Sequence, residues 1–429
     1  MQESVAVFLL IGLFAVMIIC HLPVTFAMVI ATATTMLYLN IPMMTMVQQM
    51  AKSVNSFSLL AIPFFILMGE IMGAGGISDR LLKFANVLVG RFRGGLAFVN
   101  VLASMFFGGI SGSAVADVSS LGKIEIPMME DAGYDKDFSI CVTVSSACQG
   151  LLIPPSHNMV LYAMTAGGVS VGKLFLAGYA PGILLGVALM ALCYIFAIKR
   201  NYPKGDPVSF KEALVITKDA VFAIGAMFII VGGVVAGLFT ATEAAAIGCI
   251  YCLLVATLVY RQLSLKDMGR ILYNTVKTLA MIYSLIAAAG AFAWMMAYLR
   301  IPAKFTGILM DVSDNKIVVL LLINVLLLLL GCIMDMAPLI LIMTPILLPV
   351  VQKFGMDPVQ FGIMLIANLA IGLLTPPVGS CLYAGCAVGG AKIEKVTKCM
   401  LPFYLTMVIV LLMITFIPAL SMTLPNLMM

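Results

Sequence analysis

Charge is scarce in this sequence. Only 10% of its 429 residues are charged and 63% are hydrophobic, with a mean hydropathy of +1.15. A soluble domain carries about a quarter charged residues and about half apolar ones. The chain is therefore read as a polytopic membrane protein, and its long apolar runs call for helices rather than the ten-residue alternation of a barrel. No basic tract is present, so nucleic acid is excluded as a partner. With two histidines, His21 and His157, the chain cannot build a metal site without carboxylate help. The ten cysteines are scattered singly, and Cys249 and Cys252 have neither a second pair nor a nearby histidine. No paired carboxylates, zinc spacing or nucleophile–base pair falls at membrane depth, which argues against an enzyme. Residues 4–20 lack a basic flank and a cleavage site, and read as a first span.

What the chain does have is an internal duplication of helix breakers. Gly331 to Pro338 and Leu373-Leu374-Thr375-Pro376-Pro377 repeat, at an offset of 222, the stretch from Gly109 to Ala116 and Leu151-Leu152-Ile153-Pro154-Pro155. The same offset pairs Pro127 with Pro349, Gly133 with Gly355, Asp135 with Asp357 and Gly150 with Gly372. Breaks duplicated inside apolar sequence point to the binding site of a secondary transporter.

The expected fold is all-α. Residues 1–76 form N-terminal scaffold helices and 77–93 an amphipathic interface helix with Arg80, Lys83, Arg91 and Arg93. Residues 94–170 form one transport half, with a re-entrant hairpin at 94–126 and a broken helix at 138–170. Scaffold helices fill 171–298, a second interface helix 299–316, and a second transport half 317–390, with hairpin 317–350 and broken helix 360–390. Residues 391–429 hold a C-terminal helix. The hairpin arms, about 13–15 residues each, reach roughly 20–23 Å at 1.5 Å per residue, the middle of a ~30 Å core. Placing 77–93 in the cytoplasm puts 18 of the 24 lysines and arginines inside. Both termini then lie outside. Five crossings separate the hairpins, so they enter from opposite faces as an inverted repeat.

Backbone freed at a break in the membrane costs several kcal/mol per group unless something meets it. The proline pairs leave the carbonyls of Leu151–Ile153 and Leu373–Thr375 without helical partners, which suits a hard cation such as Na+. Two sodium sites are expected: Ser111, Ser113, Gly150 and Ile153 in one half, and Gly331, Asp335, Gly372 and Thr375 in the other. An anionic substrate is expected between the tips. Its donors would be Ser113, Ser156 and Thr375, with the helix-start N–H groups beyond Pro155 and Pro377. Ser111 and Ser113 can equally cap the returning helix. Asp335 stands where its repeat mate is the neutral Ser113, and an aspartate at membrane depth usually marks function. It reads as a cation ligand or a partner for a substrate hydroxyl, as a proton site, or as a cap. Glu243, three residues after Thr240, reads as part of a capping box.

At these residues the chain resembles the large membrane subunit of tripartite ATP-independent periplasmic (TRAP) transporters. The resemblance covers essentially the whole chain. It rests on Gly108 through Asp117, on Ile153-Pro154-Pro155-Ser156, on Gly237 through Ala245, and on Leu374 through Gly379. Ala241 stands where the family usually has proline, and His157-Asn158 is similar to members that handle acidic sugars. The resemblance implies a permease in a bacterial inner membrane that imports an organic anion, such as sialic acid or a C4-dicarboxylate, with Na+. It implies two partners, a small four-helix membrane subunit and a periplasmic substrate-binding protein. It also implies a transport domain that moves elevator-fashion against a scaffold braced by interface helices and set in membrane lipid. The other reading is a self-sufficient Na+-coupled anion symporter of the related ion-transporter fold.

Overall fold

The computed structural model describes residues 2–205 and 208–429, without the side chains of Ser58, Gly109, Ile110, Ser111, Leu265, Asp311 and Val312. Those residues form helices and connecting turns, with one isolated bridge between Arg93 and Lys204. The first half comprises α1 (Gln2–Ile19), α2 (Val24–Tyr38), α3 (Met43–Val54), α4 (Ala61–Ala74), α5 (Ile77–Val89), α6 (Gly95–Ser111), α7 (Ala114–Ser120), α8 (Gly122–Asp131), α9 (Lys136–Gly150), α10 (His157–Thr165) and α11 (Val171–Lys199). The second comprises α12 (Phe210–Val235), α13 (Ala241–Leu254), α14 (Leu265–Tyr298), α15 (Ile301–Val312), α16 (Lys316–Gly331), α17 (Met336–Lys353), α18 (Pro358–Gly372), α19 (Ser380–Gly389), α20 (Ile393–Phe416) and α21 (Pro418–Met428). Among the described residues seven helices are long and apolar enough to cross a membrane, and α4 with α5 passes the same test as a pair bent by 72°.

The offset of 222 governs far more than the breaks. Adding it to the bounds of α9 gives those of α18, and adding it to the starts of α3, α7 and α11 gives those of α14, α17 and α20. The duplication therefore extends beyond the roughly 60 residues legible as breakers. Its departures have local causes. Where the first half has α3, a 3-10 turn and α4, the second has the single helix α14. Pro63 lies near the start of α4, and its mate is Leu285. A proline in a helix interior removes a hydrogen bond and clashes with the preceding turn, so only the second half runs straight.

Several expectations need correction. The hairpin arms are longer than 13–15 residues: α6 has 17, α16 has 16 and α17 has 18. Both arms of each hairpin still lie on one helix, α9 in the first half and α18 in the second. α14 begins at Leu265 rather than near 278, and the second interface helix covers Ile301–Val312. α3 and α21 were not expected. α3 mixes Gln48, Gln49, Lys52 and Ser53 with methionines and has no buried residue, so it offers no apolar run. It packs on α14, where Gly290 makes room for Ser53.

α9 and α18 form the centre. Every residue from Phe138 to Gly150 and from Val359 to Gly372 is buried. A helix covered all round is an interior helix. The halves also interlock: α10 packs on α17, and α19 packs on α7 and α8. α5 is fixed across α6 and α12. Its Arg80 lies 3.6 Å over the Tyr260 ring, donates to the Gly76 carbonyl at 2.9 Å and reaches Asp219 at 3.3 Å.

Candidate functional site

Each hairpin tip lies beside the break of its own half because glycines let two backbones meet. A Cβ on Gly108 would stand 2.6 Å from the Cα of Gly150, and one on Gly372 would stand 2.6 Å from the Cα of Gly331. Neither crossing tolerates a side chain without moving backbone. The geometry thus unites Gly150 with the first tip, and Gly331 with Gly372, as the sequence led one to expect.

In the first half the tip turns through Gly112, left-handed at φ 63°, and Ser113 caps α7 by accepting the Ala116 N–H at 3.3 Å. The capping reading of Ser113 is thus realised; the Ser111 side chain lies outside the described residues. Asn158 donates to the Gly112 carbonyl at 3.0 Å, and the His157 ring abuts Gly112, where a Cβ would collide with it. The break itself is buried from Leu151 to Ser156. The Gly150 carbonyl accepts the Ile153 N–H at 3.0 Å. Among the described residues no hydrogen bond reaches the carbonyls of Leu151, Leu152 or Ile153, and none reaches the buried Ser156 hydroxyl. The Leu152 carbonyl faces Gly178 of α11.

The second half is built differently. Asp335 is exposed, makes no side-chain cap, and accepts from the Ser380 hydroxyl at 2.8 Å. The capping reading of Asp335 is therefore not what the geometry shows. Val378 N–H donates to the Cys332 carbonyl at 3.0 Å. The carbonyls expected to be free are largely taken. Leu373 accepts from the N–H groups of Cys381 and Leu382, and Leu374 accepts from the Tyr404 hydroxyl. Thr375 donates its hydroxyl proton to Ile371 at 2.8 Å, so it meets a ligand as an acceptor rather than as a donor. The N–H groups of Cys381, Leu382 and Tyr383 at the start of α19 are spent inside the protein, whereas those of His157 and Asn158 at the start of α10 reach no acceptor among the described residues. Pro155 is buried and Pro377 exposed. In both halves the peptide bond between the two prolines is cis.

A family model described as "Tripartite ATP-independent periplasmic transporter, DctM component" matches residues 11–420. The chain belongs to this family. Among its relatives, the "Uncharacterized protein YgiK" of Salmonella typhimurium is 42% identical over 98% of this chain and 97% of its own. The "Sialic acid TRAP transporter large permease protein SiaM" of Vibrio cholerae is 39% identical over 89% of each chain. The "C4-dicarboxylate TRAP transporter large permease protein DctM" of Pseudomonas aeruginosa is 39% identical over 86% of each. The solved transporters YdaH of Alcanivorax borkumensis and MtrF of Neisseria gonorrhoeae share the fold. Each has a TM-score of 0.61, at 16% and 12% identity, over 88% and 97% of this chain and 89% and 97% of their own. The permease is thus a multi-pass transport protein of the inner membrane, and the self-sufficient symporter reading is not favoured.

One cavity of the permease adjoins the first tip. It has a volume of about 560 Å³ and lies between the first hairpin, α4, α14 and the start of α10. Ser113 and His157 line it beside the tip, and Lys123 and Arg270 are its basic groups. Glu70 in its wall accepts from Asn274 at 3.2 Å. Sequence reasoning singled out Asn158 only through the family resemblance, and missed Ser380, Tyr404 and the cavity's Arg270. The offset could have found Ser380, since Asn158 and Ser380 are repeat mates in the turn after each proline pair.

Proposed function

We propose that the permease is the large subunit of a Na+-coupled TRAP transporter that imports an organic anion. Relatives named for sialic acid and for C4-dicarboxylates suggest an acidic sugar or a small dicarboxylate. A small four-helix membrane subunit and a periplasmic binding protein are its partners. The observation that carries the reading is the first break. There, the carbonyls of Leu151 and Ile153, which accept no hydrogen bond from the described residues, sit on the far side of the proline pair from the N–H groups that start α10 and donate to none of them. Carbonyls suit a hard cation and a helix start suits an anion, at one depth in the membrane. The second cation site would use Gly331, Gly372, Thr375 and the exposed Asp335. The two halves are read as inverted repeats whose hairpins and broken helices move as one body, elevator-fashion, against the scaffold. The cavity between the first hairpin and helices α4 and α14 supports that seam, and its Lys123 and Arg270 fit a cytoplasmic exit for an anion. Both termini are then periplasmic.

The test is uptake in proteoliposomes holding the permease and its small subunit, with a candidate binding protein outside. Uptake is expected to need an inward Na+ gradient and to stop when K+ replaces Na+ throughout. Equal uptake driven by a proton gradient alone would remove the sodium reading.

A further inference from the structure

Glu125 lies on α8, in the returning arm of the first hairpin, with 0% of its surface exposed. Among the described residues neither carboxylate oxygen has a hydrogen-bond partner, and no lysine or arginine pairs with it. Its repeat mate is Leu347, also at 0%. One turn-pair earlier Asp117, at 1%, stands where the second half has Leu339, at 1%. The fold therefore accepts leucine at both positions, and packing alone does not call for an acid at either.

A carboxylate so enclosed is strongly disfavoured unless a cation or a proton meets it. A hard cation needs a shell of several oxygens. The space between α8, α9 and α19 is instead closed by Val118, Ile126, Ile140 and Val144, which crowd Gly122, Gly385 and Gly389. No group of three His, Cys, Asp or Glu side chains is assembled among the described residues. A proton needs no such shell.

The elements packed on α8 are α6, α7, α9 and α19. α6 has no titratable side chain, α7 has Asp117, α9 has Lys136, Asp137, Cys141 and Cys148, and α19 has Cys381, Tyr383 and Cys386. On α8 itself Lys123 lines the cavity, Glu130 is 3.8 Å from Lys136, and Asp131 is exposed. Asp117, two turns before Glu125 on the same returning arm, is the other buried acid among these groups.

We propose that Glu125 is a proton-binding site of the first hairpin, neutral while enclosed and ionised when movement of the hairpin admits water. On release the O–H bond breaks, the proton passes to water and the electron pair stays on the carboxylate. The release step rests on the elevator reading above; the bound proton does not.

Infrared spectroscopy on the full chain in lipid nanodiscs reads the proton directly. At neutral pH wild type and Asp117→Asn are expected to show a protonated-carboxyl C=O band that shifts in D2O and is missing from Glu125→Gln. Glu125→Leu, which copies the repeat mate Leu347, provides the same comparison if the glutamine variant does not fold. No difference between wild type and either variant overturns the proposal, whether or not any anion is transported. In proteoliposomes, wild-type uptake is expected to change about tenfold per pH unit beyond the titration, and uptake by Glu125→Gln to be flat. An unchanged pH profile in that variant overturns the release step. So does an altered Na+ activation with the profile intact, which would make Glu125 a cation ligand.

Discussion

Asn158 and Ser380 stand 222 residues apart, and each ties a hairpin tip to the helix that follows a proline pair. Asn158 donates to the Gly112 carbonyl at 3.0 Å, and Ser380 donates to the Asp335 carboxylate at 2.8 Å. The environments differ: Asn158 is 4% exposed, while Asp335 is open to solvent. Removing a donor that leaves a buried acceptor unpaired costs about 1–3 kcal/mol, and an exposed acceptor is re-satisfied by water. Asn158→Ala is therefore expected to lower the thermal midpoint of the purified permease clearly, and Ser380→Ala to leave it nearly unchanged. Equal shifts in the two would mean that the first tip is not held by this amide.

Ser156 separates a binding role from a structural one. Its hydroxyl is buried without a hydrogen-bond partner among the described residues, so the folded protein gains little from it. Ser156→Ala is expected to preserve the thermal midpoint and to weaken uptake, since a site that hydrogen-bonds its substrate discriminates strongly once a partner is missing. Kinetics identical to wild type would move the substrate away from the first break.

Much of this was legible from sequence because breaks and charges are read one residue at a time. Long apolar runs gave the helical class, and the paired prolines and tip glycines gave the places where the helices break. Their partners were not legible. Tyr404 reaches the Leu374 carbonyl from α20, while its mate Gly182 on α11 abuts Ile153 and leaves no room for a side chain. Only three-dimensional packing reveals that equivalent positions close one break with a hydroxyl and the other with bare backbone. α3 escaped notice for a related reason: its helix is stabilised by α14, not by its own hydrophobicity.

A pH effect is expected outside the membrane, where the turn between α8 and α9 meets the end of α11. Asp135 accepts from Tyr202 and from Arg200, each at 2.6 Å. The Tyr202 hydroxyl, then the Arg200 guanidinium, holds its carboxyl below the usual carboxylate range. A carboxyl whose pKa is lower folded than unfolded adds stability above the unfolded value, and that stability drains away as pH falls through the folded one. The carboxylate is 58% exposed, so screening keeps the contribution under about 1 kcal/mol. Wild type is expected to lose its small margin over Asp135→Asn only below the ordinary carboxylate range. A margin that persists in acid would show that the charge of Asp135 is not its source.

Asp335 is the sharpest test of the sodium reading. It starts α17 without capping it, lies in the open, and is oriented by one hydroxyl, Ser380. Asp335→Asn keeps the shape and an oxygen that can accept from Ser380, and removes the charge. If Asp335 ligates Na+, the variant should express and fold normally while needing roughly tenfold more Na+ for half-maximal uptake, a loss of about 1.4 kcal/mol. If the carboxylate instead receives a substrate hydroxyl, the asparagine oxygen still accepts, and the Michaelis constant for the anion should rise while Na+ activation stays put. Two titrations on one preparation, one in Na+ and one in the anion, decide between them. Wild-type Na+ activation in Asp335→Asn removes Asp335 as a charged sodium ligand and leaves the second cation site to Thr375 and backbone carbonyls.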